Sequence, residues 1–287
     1  MKEFIITTDS TVDLPKSLLE EWQVPVISLS YTLDGTTYED LGGLTSKELM
    51  DEIRNGAMPT TSQVNPEQAR AAFEPIIKAG KDILHIAFSS GLSGTCNSAK
   101  IAAEELMEEN EDAKIIVIDS LCASMGEGLL LYKALELKKQ GKNIDELAEW
   151  LEINKMHLCH DFTVDDLNHL YRGGRVSKAT AVLGTMINIK PVLHVDMEGH
   201  LVAVGKTRGR KKSMLYMVDR MAEKSQGFEN DVAMIVHGDC EEDAAFLEKQ
   251  LRERFGIQNI IINGIGAVIG SHTGPGVIAI FYMGNRE

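Results

Sequence analysis

A strand, a turn of small residues and a helix follow one another over residues 83–104, and this order limits the possible folds more than any other stretch. Ile83-Leu84-His85-Ile86-Ala87-Phe88 is an apolar run of strand length. Ser89-Ser90-Gly91-Leu92-Ser93-Gly94-Thr95 comes next, and Cys96 to Glu104 reads as a helix. Such a turn also favours a negatively charged oxygen. Free N–H groups and the helix dipole point at the ligand, and the hydroxyls add donors. A second polar turn of small residues, Gly270-Ser271-His272-Thr273-Gly274-Pro275-Gly276, lies near the C-terminus.

The strand and helix alternation runs through the first half. Phe4 to Thr8 reads as a strand, Pro15 opens a helix to about Trp22, and Val24 to Tyr31 reads as a strand ending in a Leu33-Asp34-Gly35-Thr36 turn. Thr45-Ser46-Lys47-Glu48 is a capping box for a helix to about Arg54. Asn55 to Asn65 reads as a loop containing Pro59-Thr60-Thr61-Ser62-Gln63, and Pro66 starts a helix through Ile77. The strand 114–119 and a helix from about Met125 to Gln140 complete a pattern that predicts a parallel sheet covered by helices.

After about residue 155 the pattern changes. Met156 to Phe162 reads as a strand, and a helix from Val164 to Tyr171 breaks at Arg172-Gly173-Gly174-Arg175. Lys190 to Val195 and Leu201 to Thr207 flank Met197-Glu198-Gly199-His200 as a hairpin. A helix 211–224, a strand ending at His237, a helix 241–255 and two closing strands follow. Hairpins mixed with crossovers indicate a mixed or antiparallel sheet. The expected organisation is two α/β domains, residues 1–155 and 156–287.

At 287 residues with a formal net charge of -14, the chain has no basic surplus to neutralise phosphates, which argues against nucleic acid and against anionic lipid surfaces. Four scattered cysteines without a C-x-x-C pair read as reduced thiols, and no run approaches the roughly 18 apolar residues of a membrane span, so a cytoplasmic protein is expected.

Three stretches approach known chemical motifs and fall short of them. Ser93 sits where a nucleophile would, but the elbow requires glycine two residues later and Thr95 is there. No acidic residue flanks His272 to fix its tautomer. Ser93 is therefore read as a donor at a helix start, with a Ser93-dependent hydrolase or acyltransferase as the alternative. Gly199 and Gly205-Lys206-Thr207 miss the phosphate-loop spacing by one residue, within a strand. In His157-Leu158-Cys159-His160-Asp161 the strand period places 160 opposite 157, 159 and 161, which disfavours a convergent metal site. Arg172, Arg175 and Lys178 cluster on an otherwise acidic chain, and Arg208 projects from a strand end, where open sheets hold ligands.

Thr8-Asp9-Ser10-Thr11 with Asp13-Leu14-Pro15, the 59–63 string, Ser89 to Thr95, Asp119-Ser120, Tyr171 to Arg175 and Gly270 to Gly276 together resemble the bacterial DegV family, over essentially the whole chain. That family includes the fatty-acid-binding B subunit of fatty acid kinase. The resemblance implies a two-domain α/β fold, an N-terminal parallel sheet flanked by helices plus a C-terminal mixed sheet. A long-chain fatty acid would be buried in the first domain, its carboxylate at the domain interface and held by Thr61, Ser62, Ser93, Gly94 and His272. Arg208, and with it Arg172 and Arg175, would face a phosphate or a separate ATP-dependent kinase subunit. No cofactor or metal is implied. Val64-Asn65 departs from the Pro-Ser of many relatives. The neutral hydroxyls and small loops also suit a binding module for another small anion, which stays open at this point.

Overall fold

A computed structural model describes residues 2–178, 180 and 188–287. The first sheet is fully parallel, in the order β2-β1-β6-β7, where β1 is Phe4–Asp9, β2 Val26–Ile27, β6 Asp82–Ala87 and β7 Ile115–Asp119. Every residue of β6 is buried, as a central strand covered on both faces requires. On one face α3 (Pro66–Lys78) and α4 (Thr95–Glu109) pack Phe73, Ala99, Ala102 and Leu106 against Ile83 and Ile115. On the other, Leu84, Ile86 and Ile118 meet α5 (Met125–Lys139) and α6 (Ile144–Asn154), the latter capped by Asn143.

The larger sheet runs β10-β9-β8-β13-β11-β12, with β8 Leu158–Thr163, β9 Ile189–Val195, β10 Leu201–Arg208, β11 Val232–His237, β12 Asn259–Gly264 and β13 Ile278–Met283. Only the β11–β12 pairing is parallel. Its outer face is covered by Met214, Met217, Val218 and Met221 of α8 (Arg210–Lys224), and by Ala244, Leu247 and Leu251 of α9 (Glu241–Phe255). Its inner face shares one continuous apolar cluster with α5, so that α5 lies between the two sheets. That position explains the unbroken buried run from Met125 to Leu131, which a one-sided surface helix would not show.

Two segments differ from the sequence expectation. Thr60–Ser62, expected as loop, forms the strand β5, pairing antiparallel with β3 (Ser30–Leu33) in a small sheet β4-β3-β5, where β4 is Thr36–Glu39. Main-chain pairing (Tyr31 with Thr61) makes a strand of three polar residues, two of them β-branched threonines, that carry no apolar run to mark it in the sequence. Residues 267–273, largely within the expected second turn, form a helix, α10 (Ala267–Thr273), and only Gly274 to Gly276 turn the chain. The expected strand at 24–31 is split, with Val26–Ile27 in the parallel sheet and Ser30–Leu33 in the small one.

Candidate functional site

A cavity of about 380 Å³ lies between the sheets. Its floor is the inner face of the larger sheet: Phe162, Val195, Leu201, Val236, Ala279 and Phe281. Leu29, Phe88 and Leu92 close it from the other side, and Ile265, Val268 and Ile269 line it around α10. The cavity is therefore built jointly, with many of its walls from the second half, whereas the sequence reading placed a lipid-tail space inside residues 1–155. The parallel sheet is filled on both faces by its own helices, so the remaining space lies where the second sheet faces it.

The cavity has an order along its length. Val277, just ahead of β13, lies near the end of α10, while Ala279 and Phe281 follow along the strand at about 3.3 Å per residue. The Val277 end is polar, contributed by Thr61 and Ser62 of β5, Ser93 of the glycine turn, His272 and Thr273 of α10, and Arg175. Thr61 Oγ1 and His272 Nε2 are 2.8 Å apart. The two polar loops singled out by sequence thus reach one chamber although about 180 residues separate them.

His272 is neutral: burial lowers its pKa to about 4, with the Arg175 charge adding to the effect. Gly173 fixes the ring from behind. Its φ is -70°, which any residue adopts, but a Cβ there would stand 2.1 Å from His272 Nδ1. The paired glycines after α7 (Asn168–Arg172) therefore serve a close approach as well as a helix end. Arg175 lines the chamber, its Nε donating to Leu92 O at 3.2 Å and Nη1 to Gly173 O. No carboxylate pairs with it among the described residues, and burial lowers its pKa. It is a half-buried cation aimed at a site with no negative charge of its own.

The remaining candidate residues differ in their partners and placement. Ser93 Oγ hydrogen-bonds Thr95 Oγ1 at 3.0 Å and accepts from Thr95 N, while His272 Nε2 is engaged with Thr61, so no Ser93–His272 dyad is formed. Gly94, expected to donate to the ligand, instead donates its N–H to Gln63 Oε1 at 3.1 Å, because the β5 strand brings Gln63 over the helix start. Arg172 is exposed and bonds His169 Nδ1 at 2.7 Å. Arg208 is exposed at the end of β10 and does not line the cavity.

Sequence reading missed a buried acidic layer beneath α10. Asp13 Oδ1 accepts from Gly266 N at 2.9 Å, its Oδ2 accepts from the Ser124 hydroxyl, and Asp40 Oδ1 accepts from Val268 N at 2.9 Å. Two carboxylates from the first half thus hold the start of the helix that carries His272, satisfying N–H groups that would otherwise be orphaned. Behind them, Glu127 accepts from the Thr8 and Thr11 hydroxyls, and Asp9 from Phe88 N at 2.8 Å. Burial pushes Asp9 and Asp40 up to about 6. It drives Asp13 and Glu127 well above the usual carboxylate range, helped by Asp40 at Asp13 and by Asp9 at Glu127. The acidic letters were visible in the sequence, but nothing local marked them as buried.

The fold and the chamber define a two-domain α/β protein with an apolar lumen between its sheets, polar at one end. The DegV family profile, described as an uncharacterised protein family, matches residues 3–285, and the chain belongs to the DegV family. A DegV domain-containing protein of Clostridium perfringens, CPE0026, is 45% identical over 289 residues, covering 100% of this chain and 99% of that protein. A fatty-acid-binding DegV protein of Thermus thermophilus superposes with a TM-score of 0.89 at 33% identity, over 99% of this chain and 100% of the other. DegV of Bacillus subtilis, described as a fatty acid binding protein, does so with 0.86 at 30% identity, over 99% and 100%. Among the described residues no helix is long and apolar enough to cross a membrane.

Proposed function

We propose that this chain binds a long-chain fatty acid, with the carboxylate at Thr61, Ser62, Ser93 and His272 and the tail along the inner face of the larger sheet. The carrying observation is the Thr61–His272 contact at the polar end of a chamber lined mostly by apolar side chains. Arg175 supplies the counter-charge that the hydroxyls and a neutral imidazole lack. Each buried methylene contributes about 0.8 kcal/mol, so the tail supplies most of the affinity and the polar end sets direction. The fatty acid binding described for the Thermus thermophilus and Bacillus subtilis proteins supports this reading. Residues 1–155 and 156–287 act as its two lobes.

In the same proposal the chain is a non-catalytic subunit that presents the carboxylate to a separate kinase. A carboxylate oxygen attacks the γ-phosphorus of ATP held by that partner, ADP leaves, and an acyl phosphate forms. The exposed Arg172 and Arg208 face the partner or the transferred phosphate. Mass spectrometry of lipid extracted from the purified protein tests the first part. Fatty acid in stoichiometric amount is expected, and none, when a lipid-binding control retains its own, sinks it. Acyl phosphate formation that needs both this protein and a kinase subunit tests the second, and formation undiminished without this chain overturns it.

A further inference from the structure

The hairpin tip between β9 and β10 belongs to the second half of the chain, yet it lies directly on the glycine turn of the first. The tip is closed internally: Asp196 Oδ1 accepts from Glu198 N and His200 N, both at 2.9 Å, and Gly199 N donates to Asp196 O at 3.1 Å. Gly199 has a φ of +81°, and its carbonyl accepts from Ser89 Oγ at 2.9 Å. The same Oγ accepts from Gly91 N at 3.2 Å. The fit leaves no room for one more carbon. A Cβ on Gly199 would stand 2.1 Å from Ser89 Oγ, and one on Gly91 would stand 2.9 Å from the carbonyl oxygens of Glu198 and Gly199.

Ser89 is wholly buried, and each of its polar atoms is engaged. Its N–H donates to Cys122 O at 3.0 Å, and its carbonyl accepts from Leu92 N at 3.0 Å and from Ser93 N at 3.1 Å. Leu92 and Ser93 both line the chamber, and Leu92 O in turn accepts from Arg175 Nε at 3.2 Å. A shift of residue 89 is therefore passed through one hydrogen bond to Ser93 and through two to the cation at the polar end. The arms of the same hairpin carry Val195 and Leu201, part of the chamber floor. A buried serine that ties two loops is ordinarily a matter of stability. Here the tie sits at the base of the turn that presents the head-group donors. Binding groups keep their geometry to within about 0.5 Å when the residues behind them are themselves locked by hydrogen bonds and packing.

We propose that Ser89 is a positioning residue for head-group recognition. Clamped by Gly199 of the hairpin, its hydroxyl sets where the turn presents Ser93 and holds Arg175, and so sets the preference for a carboxylate over a neutral head. The inference rests on the fatty-acid reading above. The test is competition on the full chain, displacing a bound fluorescent fatty acid with octadecanoic acid and with octadecanol, which has the same tail and no charge. The readout is the ratio of the two affinities, which a general loss of stability leaves alone. The wild-type protein is expected to favour the acid, and Ser89→Ala to cut that ratio by about three- to tenfold, the range of one net hydrogen bond. Gly199→Ala, which presses on the same hydroxyl from the hairpin side, should cut it comparably. The double variant should cut it no further than the worse single one, because both changes act on one contact. Should Ser89→Ala not fold, Ser89→Cys, a weaker donor on the same branch, carries the same test. A ratio within about twofold of wild type in the Ser89 variant, or cuts that multiply in the double one, overturns this inference alone. A wild-type protein that binds both without favouring the acid overturns the carboxylate assignment, and one that binds neither overturns the fatty-acid reading; this inference falls with either.

Discussion

At the scale of single residues, the polar end of the chamber is small enough that one atom decides its state. The hydroxyl of Thr61 reaches His272 at 2.8 Å, so Thr61→Ala should weaken fatty acid binding by about three- to tenfold while Thr61→Ser restores most of it. Equal affinities for all three, by fluorescence displacement, would remove Thr61 from the site. Gly173 offers a sharper lever. Its backbone tolerates alanine, but the added carbon would stand 2.1 Å from His272 Nδ1 and push the ring from Thr61. Gly173→Ala is expected to lower affinity at least as much as Thr61→Ala with little change in unfolding midpoint; an unaltered affinity would show that the ring position does not matter. The family resemblance singled out Thr61, Ser62, Ser93 and His272, and the two turns of small residues marked the segments carrying Ser93 and His272; all four side chains line the same chamber. Gln63 at the Gly94 N–H and the carboxylates of Asp13 and Asp40 at the start of α10 were not legible, since each depends on a partner distant in sequence.

Elements tell a different story from residues. Long periodic helices such as 66–78 and 241–255 were readable because their caps and apolar spacing are local. Strand β5 and helix α10 were not, because one is three polar residues held by pairing to β3 and the other is a short segment with a glycine in its middle. What holds α10 is the pair of buried carboxylates at its start, and this has a consequence for pH. Asp40 keeps its proton to about 6 in the folded protein against an ordinary 3.8. Between those values the folded chain holds a proton that the unfolded chain has lost. The contribution of Asp40 is therefore fully present below the lower value and is lost as pH rises through the upper one, by about 3 kcal/mol for a shift of this size. Asp40→Asn lacks this titration. The stability of wild type relative to Asp40→Asn, from urea unfolding, should fall by an amount of that order between pH 4 and pH 6.5. Parallel profiles would show that Asp40 is not held protonated. Histidines with lowered pKa, among them His85 and His272, act in the opposite direction over much of the same range, so the difference between the two proteins is what reports Asp40, together with its effect on Asp13.

Across the whole molecule, the alternation of strands and helices foretold the parallel sheet, and the hairpins the mixed one, but not how the two are joined. Arg286 is one of the joints. It is 1% exposed and donates to Val195 O at 3.2 Å, Lys155 O at 3.0 Å and Leu121 O, drawing together a strand of the larger sheet, the chain between the halves and a loop after β7. Arg286→Ala leaves three carbonyls short of a donor and a hole the size of the side chain, so a loss of about 3 kcal/mol or more is expected in urea unfolding. A loss under about 1 kcal/mol would mean that water replaces the guanidinium at no cost. The apolar cluster around α5 is the other joint: it contains Leu84 and Ile86 from the first sheet and Phe162, Met234 and Phe281 from the second. Severing the chain near residue 155 would leave each fragment with a bare, water-repelling surface where its counterpart had been, so neither should survive alone in solution. What looks on paper like two independent modules is committed to melting as one.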